Sequence, residues 1–199
     1  MTRNDKNTHL PQTYSPFTIV GNALRWLRRG PTILAMRWND QLSRFITGAP
    51  IWSMSEITPH IYIGGQQYPR GWDAMLEHGI TAVINMREEQ YDDAAMGVQG
   101  QRYLHLPTID LTPPRIVDLN RGADFIAQEV ERDGKVYIHC GVGMGRAPAQ
   151  AAAYFIKHEN LTPQHALEKI MQPRPFINLT KEQEQRLEEY ARHLNAHES

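Results

Sequence analysis

The residues of this 199-residue chain best suited to chemistry are its single cysteine, Cys140, and an arginine six positions later, Arg146. Between them lie Gly141, Val142, Gly143, Met144 and Gly145. Glycine-rich backbone can curl so that successive N–H groups point inward, and a helix starting just after it adds the positive end of its dipole. That is a cradle for an anion of phosphate size. A guanidinium at its rim can grip two phosphate oxygens at once. Cys140 would lie at the bottom, where the same groups favour the thiolate. A thiolate facing a phosphate site is a nucleophile for phosphoryl transfer. Arg146 and the amides supply the charge such a site needs, so neither a metal nor a cofactor is expected. A buried structural thiol is the commoner fate of a lone cysteine, but the neighbouring glycines and Arg146 argue against it here.

The flanking segments fit that geometry. Val136-Tyr137-Ile138 is a short apolar run ending in His139, and AQAAAYFIKH after Pro148 has the character of a largely buried helix. Strand, tight loop and helix follow in order. Upstream, residues 57–63 read as a strand entry, and Pro69 to His78 as a short helix. Ile80 to Met86 reads as a strand buried on both faces, and Arg102 to Leu106 as another strand. Ile116, Leu119, Ala123, Ile126 and Val130 recur at helical spacing. Thr162-Pro163 opens a further helix, with Thr as cap and Pro in the first turn, and Thr180 with Gln183 forms a capping box for the last. Strands alternating with helices predict an α/β fold with a mostly parallel central sheet flanked by helices.

Composition sets further bounds. Hydrophobic residues make up 41% of the chain, enough for a sizeable core, and the net charge of −1 gives no reason to expect a nucleic-acid partner. One cysteine cannot form an internal disulfide and fits a reducing compartment. No apolar run approaches the roughly 18 residues that span a bilayer, and the polar start is a poor signal or transit peptide. The protein is therefore expected in the cytoplasm, either free or peripheral to a membrane. Two domains are expected: a flexible tail with an amphipathic helical extension over residues 1–50, and the compact domain over 51–199. In the extension, Phe17, Val20, Leu24 and Leu27, then Leu34, Trp38, Leu42 and Phe45, stand at helical spacing beside Arg25, Arg28, Arg29, Arg37 and Arg44. Two readings stay open. One is a helical pair packed on the domain with a solvated basic face. The other is an interfacial segment, residues 17–46, held against anionic lipid.

The run of His139, Cys140, Gly143 and Arg146 matches H-C-x-x-G-x-x-R, and the chain resembles the protein tyrosine phosphatase superfamily. It is most similar to the small dual-specificity phosphatases. The likeness covers roughly Ile57 to Leu194. Within that group, the run TIDLTPP and its spacing to the cradle resemble the branch related to the mitochondrial phosphatidylglycerophosphate phosphatase. The resemblance implies that Cys140 forms a cysteinyl-phosphate while Arg146 and the N–H groups of residues 141–146 hold the phosphoryl oxygens. It implies that Asp110 first protonates the leaving group and then activates water. Asp118 and the pair Asp92-Asp93 are rivals for that role, and an aspartate before Thr-Pro-Pro is also a good turn or capping residue. His139 is expected either to orient the cradle or to be merely structural, and Asn178 aligns with a loop that borders the pocket in similar phosphatases but reads equally as a simple turn residue. One position departs from the pattern. The family has Ser or Thr after the arginine, where its hydroxyl stabilises the departing thiolate, and this chain has Ala147. The resemblance then implies slow hydrolysis of the intermediate.

The expected substrate is a phosphorylated protein, or alternatively a phospholipid such as phosphatidylglycerophosphate. A third alternative is a low-activity or non-catalytic phospho-binding module. The absence of Lys and Arg from residues 141–145 favours a substrate with a single phosphomonoester.

Overall fold

The computed structural model describes residues 54–67, 71–88 and 102–197, with seven helical residues between Ala35 and Ile46. The chain divides into two units, Met1–Ala35 and Met36–Ser199, and everything below concerns the second. It is built on a five-stranded sheet: β1 (Ser55–Thr58), β2 (Ile61–Gly64), β3 (Ala82–Arg87), β4 (Arg102–Thr108) and β5 (Val136–His139). Their spatial order is β1-β2-β5-β3-β4. All pairings are parallel except β1 with β2. Among the described residues, five helices with defined ends accompany it: α1 (Trp72–Glu77), α2 (Ile116–Val130), α3 (Arg146–His158), α4 (Pro163–Met171) and α5 (Lys181–His197).

The strand residues alternate between two apolar layers, as a period of two requires. Ile61, Ile63, Ala82, Ile84, Met86, Val136 and Ile138 join the main core with Leu119, Ala123 and Ile126 of α2, Phe155 of α3 and Leu187 and Tyr190 of α5. Tyr62, Val83 and Tyr137 point the other way, onto Trp72 and Met75 of α1. Cys140 lies with the main core. His139 therefore belongs to the opposite face, where it stacks on Tyr137 with ring centroids 5.7 Å apart. In α3, Ala147, Ala149, Ala151, Ala152 and Ala153 are all fully buried. Small side chains let this helix lie close to its neighbours.

Both helix starts read from local sequence form as expected. The Thr162 hydroxyl accepts the His165 N–H at 3.3 Å with Pro163 in the first turn. At α5, the Gln183 N–H donates to Thr180 Oγ1 at 3.2 Å and the Thr180 N–H to Gln183 Oε1 at 3.1 Å. Two segments differ from their sequence reading. Residues 57–63 do not form one strand entry: Pro59 and His60 turn the chain, and β1 folds back antiparallel on β2. Proline has no N–H for a ladder, so a turn there is the cheaper arrangement. In the second amphipathic stretch, Trp38, Leu42, Phe45 and Ile46 are helical but exposed, while Ser43 is buried. Residues 17–34 lie outside the described residues, as does the polar run 89–101 with Asp92 and Asp93. No helix among the described residues is long and apolar enough to cross a membrane.

Candidate active site

The site lies beyond the carboxyl ends of the parallel strands, where open α/β sheets leave a crevice. Strand β5, in the middle of the sheet, delivers Cys140. The chain then loops through residues 141–145 and enters α3 at Arg146. Cys140 is 3% exposed, and the Gly143 N–H donates to its Sγ at 3.2 Å. An amide aimed at the sulfur is what the cradle geometry requires. Gly143 has φ +71°, and a Cβ there would strike the Gly64 carbonyl. Both the left-handed backbone and the close approach demand glycine.

Arg146 is held from the sheet. Its NH1 donates to the Thr108 carbonyl at 2.8 Å and to the Met86 carbonyl at 3.5 Å, at the ends of β4 and β3. Its NH2 pairs with Asp110 Oδ1 at 2.9 Å. Its Nε is buried and has no hydrogen-bond partner. One edge of the guanidinium is therefore structural, and the Nε/NH2 edge is turned to the cradle with Asp110 on it.

Asp110 sits in the turn after β4, with Thr112 N–H and Oγ1 both donating to the Ile109 carbonyl. Leu111 in that turn has φ +63°, a strained setting for a leucine that costs on the order of 1 kcal/mol. Of the rivals, Asp118 is in the first turn of α2, fully buried and held by Arg115 at 2.6 Å and Arg121 at 3.5 Å. The structure brings Asp110, and not Asp118, to the cradle.

His139 is fully buried. Burial first of all lowers its pKa from 6.5 to about 3. A backbone hydrogen bond at Cys140 opposes the shift, and Arg87, Arg146 and His105 add to it. The ring is thus held neutral at neutral pH, packed against Tyr137. The unfolded chain takes up a proton near pH 6.5 that the folded one refuses until about pH 3. Stability contributed by the neutral ring is complete above the unfolded value and is lost as pH falls toward the folded one. Urea melts are expected to weaken between those limits, by at most about 1.4 kcal/mol per pH unit from this group. His139→Asn should flatten the dependence, and an equally steep curve in that variant would remove this assignment.

Asn178 meets the loop through its main chain: its N–H donates to the Met144 carbonyl at 2.7 Å. Two residues at the site went unread as functional. Gln183, recognised only as a capping partner, also donates from Nε2 to the Thr112 carbonyl at 2.9 Å. A Cβ on Gly145 would come within 2.9 Å of its Oε1. It braces the Asp110 turn against the cradle. Arg174, in the link between α4 and α5, has its guanidinium buried behind the loop. No local pattern marks either contact, since the partners are distant in sequence.

Residues 61–193 match the family model for the dual specificity phosphatase catalytic domain. The chain belongs to this family, as a phosphatase domain of the cysteine-based, dual-specificity type. Among relatives, it is 31% identical over 136 residues to dual specificity protein phosphatase 12 of Rattus norvegicus, a match covering 68% of this chain but 40% of that protein. It is 30% identical to phosphatidylglycerophosphatase and protein-tyrosine phosphatase 1 of the same organism, over 61% of this chain and 67% of that one. Among solved structures, that of PTPMT1 aligns with TM-score 0.66 and 25% identity, over 73% of this chain and 98% of that one.

Proposed function

We propose that the chain hydrolyses phosphomonoesters through a cysteinyl-phosphate, with phosphotyrosine and related phosphoprotein residues as substrates. The observation that carries this reading is the Gly143 N–H on the Cys140 sulfur, with the Nε/NH2 edge of Arg146, occupied through NH2 by the Asp110 carboxylate, beside it. An incoming phosphate takes over that edge from Asp110. The sulfur attacks phosphorus in line, and the S–P bond forms as the P–O bond to the leaving group breaks. Protonated Asp110 gives its proton to the departing oxygen. It then takes a proton from water, which attacks phosphorus and releases the thiolate and inorganic phosphate. The equatorial oxygens gather charge in both steps, where the amides and Arg146 act most strongly. Gly141, Val142, Gly143, Met144 and Gly145 form the phosphate cradle in this proposal. Residues 51–199 form the catalytic domain, and residues 1–50 its extension.

The test is hydrolysis of p-nitrophenyl phosphate with and without vanadate. Turnover that vanadate suppresses supports a catalytic site. Absent or vanadate-insensitive hydrolysis favours a phospho-binding module instead.

Ala147, fully buried in the first turn of α3, offers no hydroxyl to the sulfur. Formation of the intermediate should outrun its breakdown, giving a burst of p-nitrophenol in rapid mixing. Ala147→Ser adds a donor worth about one charged hydrogen bond and should raise the steady-state rate by about tenfold. A wild type without a burst, or a serine variant without a gain, would count against this.

A second reading, a phospholipid substrate with peripheral membrane contact, has its own support. Ile109 and Leu111, 45% and 41% exposed, flank Asp110, and exposed Val117 and Arg115 follow. Apolar side chains with a basic neighbour suit a lipid surface, and exposed Trp38, Leu42 and Phe45 extend the same chemistry. Vesicles carrying phosphatidylglycerophosphate, compared with a phosphotyrosine peptide, decide between the readings. Lipid turnover that exceeds peptide turnover, and that drops in Leu111→Asn, selects the lipid. Good peptide turnover without vesicle sedimentation removes it.

A further inference from the structure

Arg174 is 0% exposed. A guanidinium withdrawn from water is costly unless its donors are met, and here they meet the back of the loop. Nε donates to the Gly143 carbonyl at 2.7 Å and NH2 to the Val142 carbonyl at 3.0 Å. NH1 reaches Ser55 Oγ at 3.1 Å and the Ile63 carbonyl at 3.3 Å, at β1 and β2. The group stacks over the Phe176 ring at 4.3 Å. In a planar trans peptide the C=O and the next N–H point in opposite directions. Holding the Val142 carbonyl outside the loop therefore turns the Gly143 N–H inward, where it is found on the Cys140 sulfur. Holding the Gly143 carbonyl does the same for the Met144 N–H.

We propose that Arg174 is a positioning residue of the phosphate site: by drawing two consecutive carbonyls to the rear of the loop, it aims the two following amides at the thiolate and the phosphoryl oxygens. The assignment rests on the reading of residues 140–146 as the phosphate site. Two adjacent carbonyls call for a planar fork of donors. Lysine, a single point charge, cannot hold both in one plane. The cradle is thus set from behind by a residue that never touches substrate.

The test uses the full chain and two alkylating agents, anionic iodoacetate and neutral iodoacetamide. Inward amides draw the anion to Cys140, so wild type should react faster with iodoacetate. Arg174→Lys should melt cooperatively, yet lose about tenfold of that preference and about 10²-fold of kcat/KM on p-nitrophenyl phosphate, the scale of losing one oxyanion donor. A folded Arg174→Lys that keeps both the preference and kcat/KM within about threefold of wild type (under 1 kcal/mol) overturns the proposal. If Arg174→Lys does not fold, Phe176→Leu takes its place, because it removes the ring beneath the guanidinium and leaves the donors. A smaller drop in preference is then expected, and an unchanged preference overturns the proposal. A wild type with no preference for iodoacetate overturns the phosphate-site reading itself, and this assignment with it.

Discussion

Cys140→Ser is expected to abolish turnover while leaving the fold and the phosphate site in place. Serine is nearly isosteric with cysteine, and position 140 is almost closed to solvent, so the core it joins loses little. The chemistry loses the reaction path. A serine hydroxyl is a weak nucleophile without an adjacent base to take its proton, and the neighbouring imidazole, His139, is buried and neutral with its pKa lowered to about 3. Gly143 N–H and Arg146 remain to bind the oxyanion. Steady-state assays on p-nitrophenyl phosphate should therefore show at least about a 10⁴-fold loss, in the range seen when an enzyme loses its nucleophile. Vanadate or phosphate should still bind, as isothermal calorimetry would report. Residual activity within about tenfold of wild type would exclude a cysteinyl-phosphate route.

The second large effect belongs to Asp110, and its size should depend on the leaving group. Asp110→Asn removes the proton donor but keeps the side-chain shape. General acid help is worth about 10²–10⁴-fold where the departing oxygen needs a proton. Alkyl phosphates need it most and activated aryl phosphates least, so a plot of log kcat/KM, which reports the step that expels the leaving group, against leaving-group pKa should be steeper in the variant. The ion pair with Arg146 adds a second signature. Asparagine holds the Nε/NH2 edge less firmly than a carboxylate, so an oxyanion displaces it more easily. The variant should bind phosphate more tightly than wild type while turning over more slowly. An Asp110→Asn protein with full activity on alkyl phosphates would place the acid elsewhere, and Asp118, held by Arg115 and Arg121 in α2, is poorly placed to take over.

What could be read from sequence alone follows the range of the interactions. The β5-loop-α3 passage, the Thr162 cap and the Thr180–Gln183 box are settled by residues a few positions apart, and each forms as its pattern implies. The parallel sheet was legible because Ile80 to Met86 and Val136 to Ile138 are apolar runs suited to burial on both faces. Contacts across the chain were not legible. The bonds from Gln183 to Thr112 and from Arg174 to Val142 and Gly143 join segments many positions apart. No periodicity encodes such pairings. Asp110 stood out only through family likeness, since an aspartate before Thr-Pro-Pro is ordinary turn chemistry. The exposed face of Trp38, Leu42 and Phe45 shows the limit of pattern reading most plainly. Helical spacing finds an apolar stripe but does not say what covers it.

The anchoring of Arg146 ties catalysis to one margin of the sheet. Its NH1 is bound to the carbonyl end of β4, which has a sheet neighbour on one side only among the described strands. Segments can open locally at free energies below that of global unfolding, and a strand paired on one side has fewer backbone bonds to lose. When β4 detaches, the arginine loses its mooring and the turn carrying Asp110, which leaves directly from that strand, drifts with it. Warming should therefore silence the enzyme reversibly before the core melts, so that its working ceiling is set by the hold of one border strand and not by the stability of the whole.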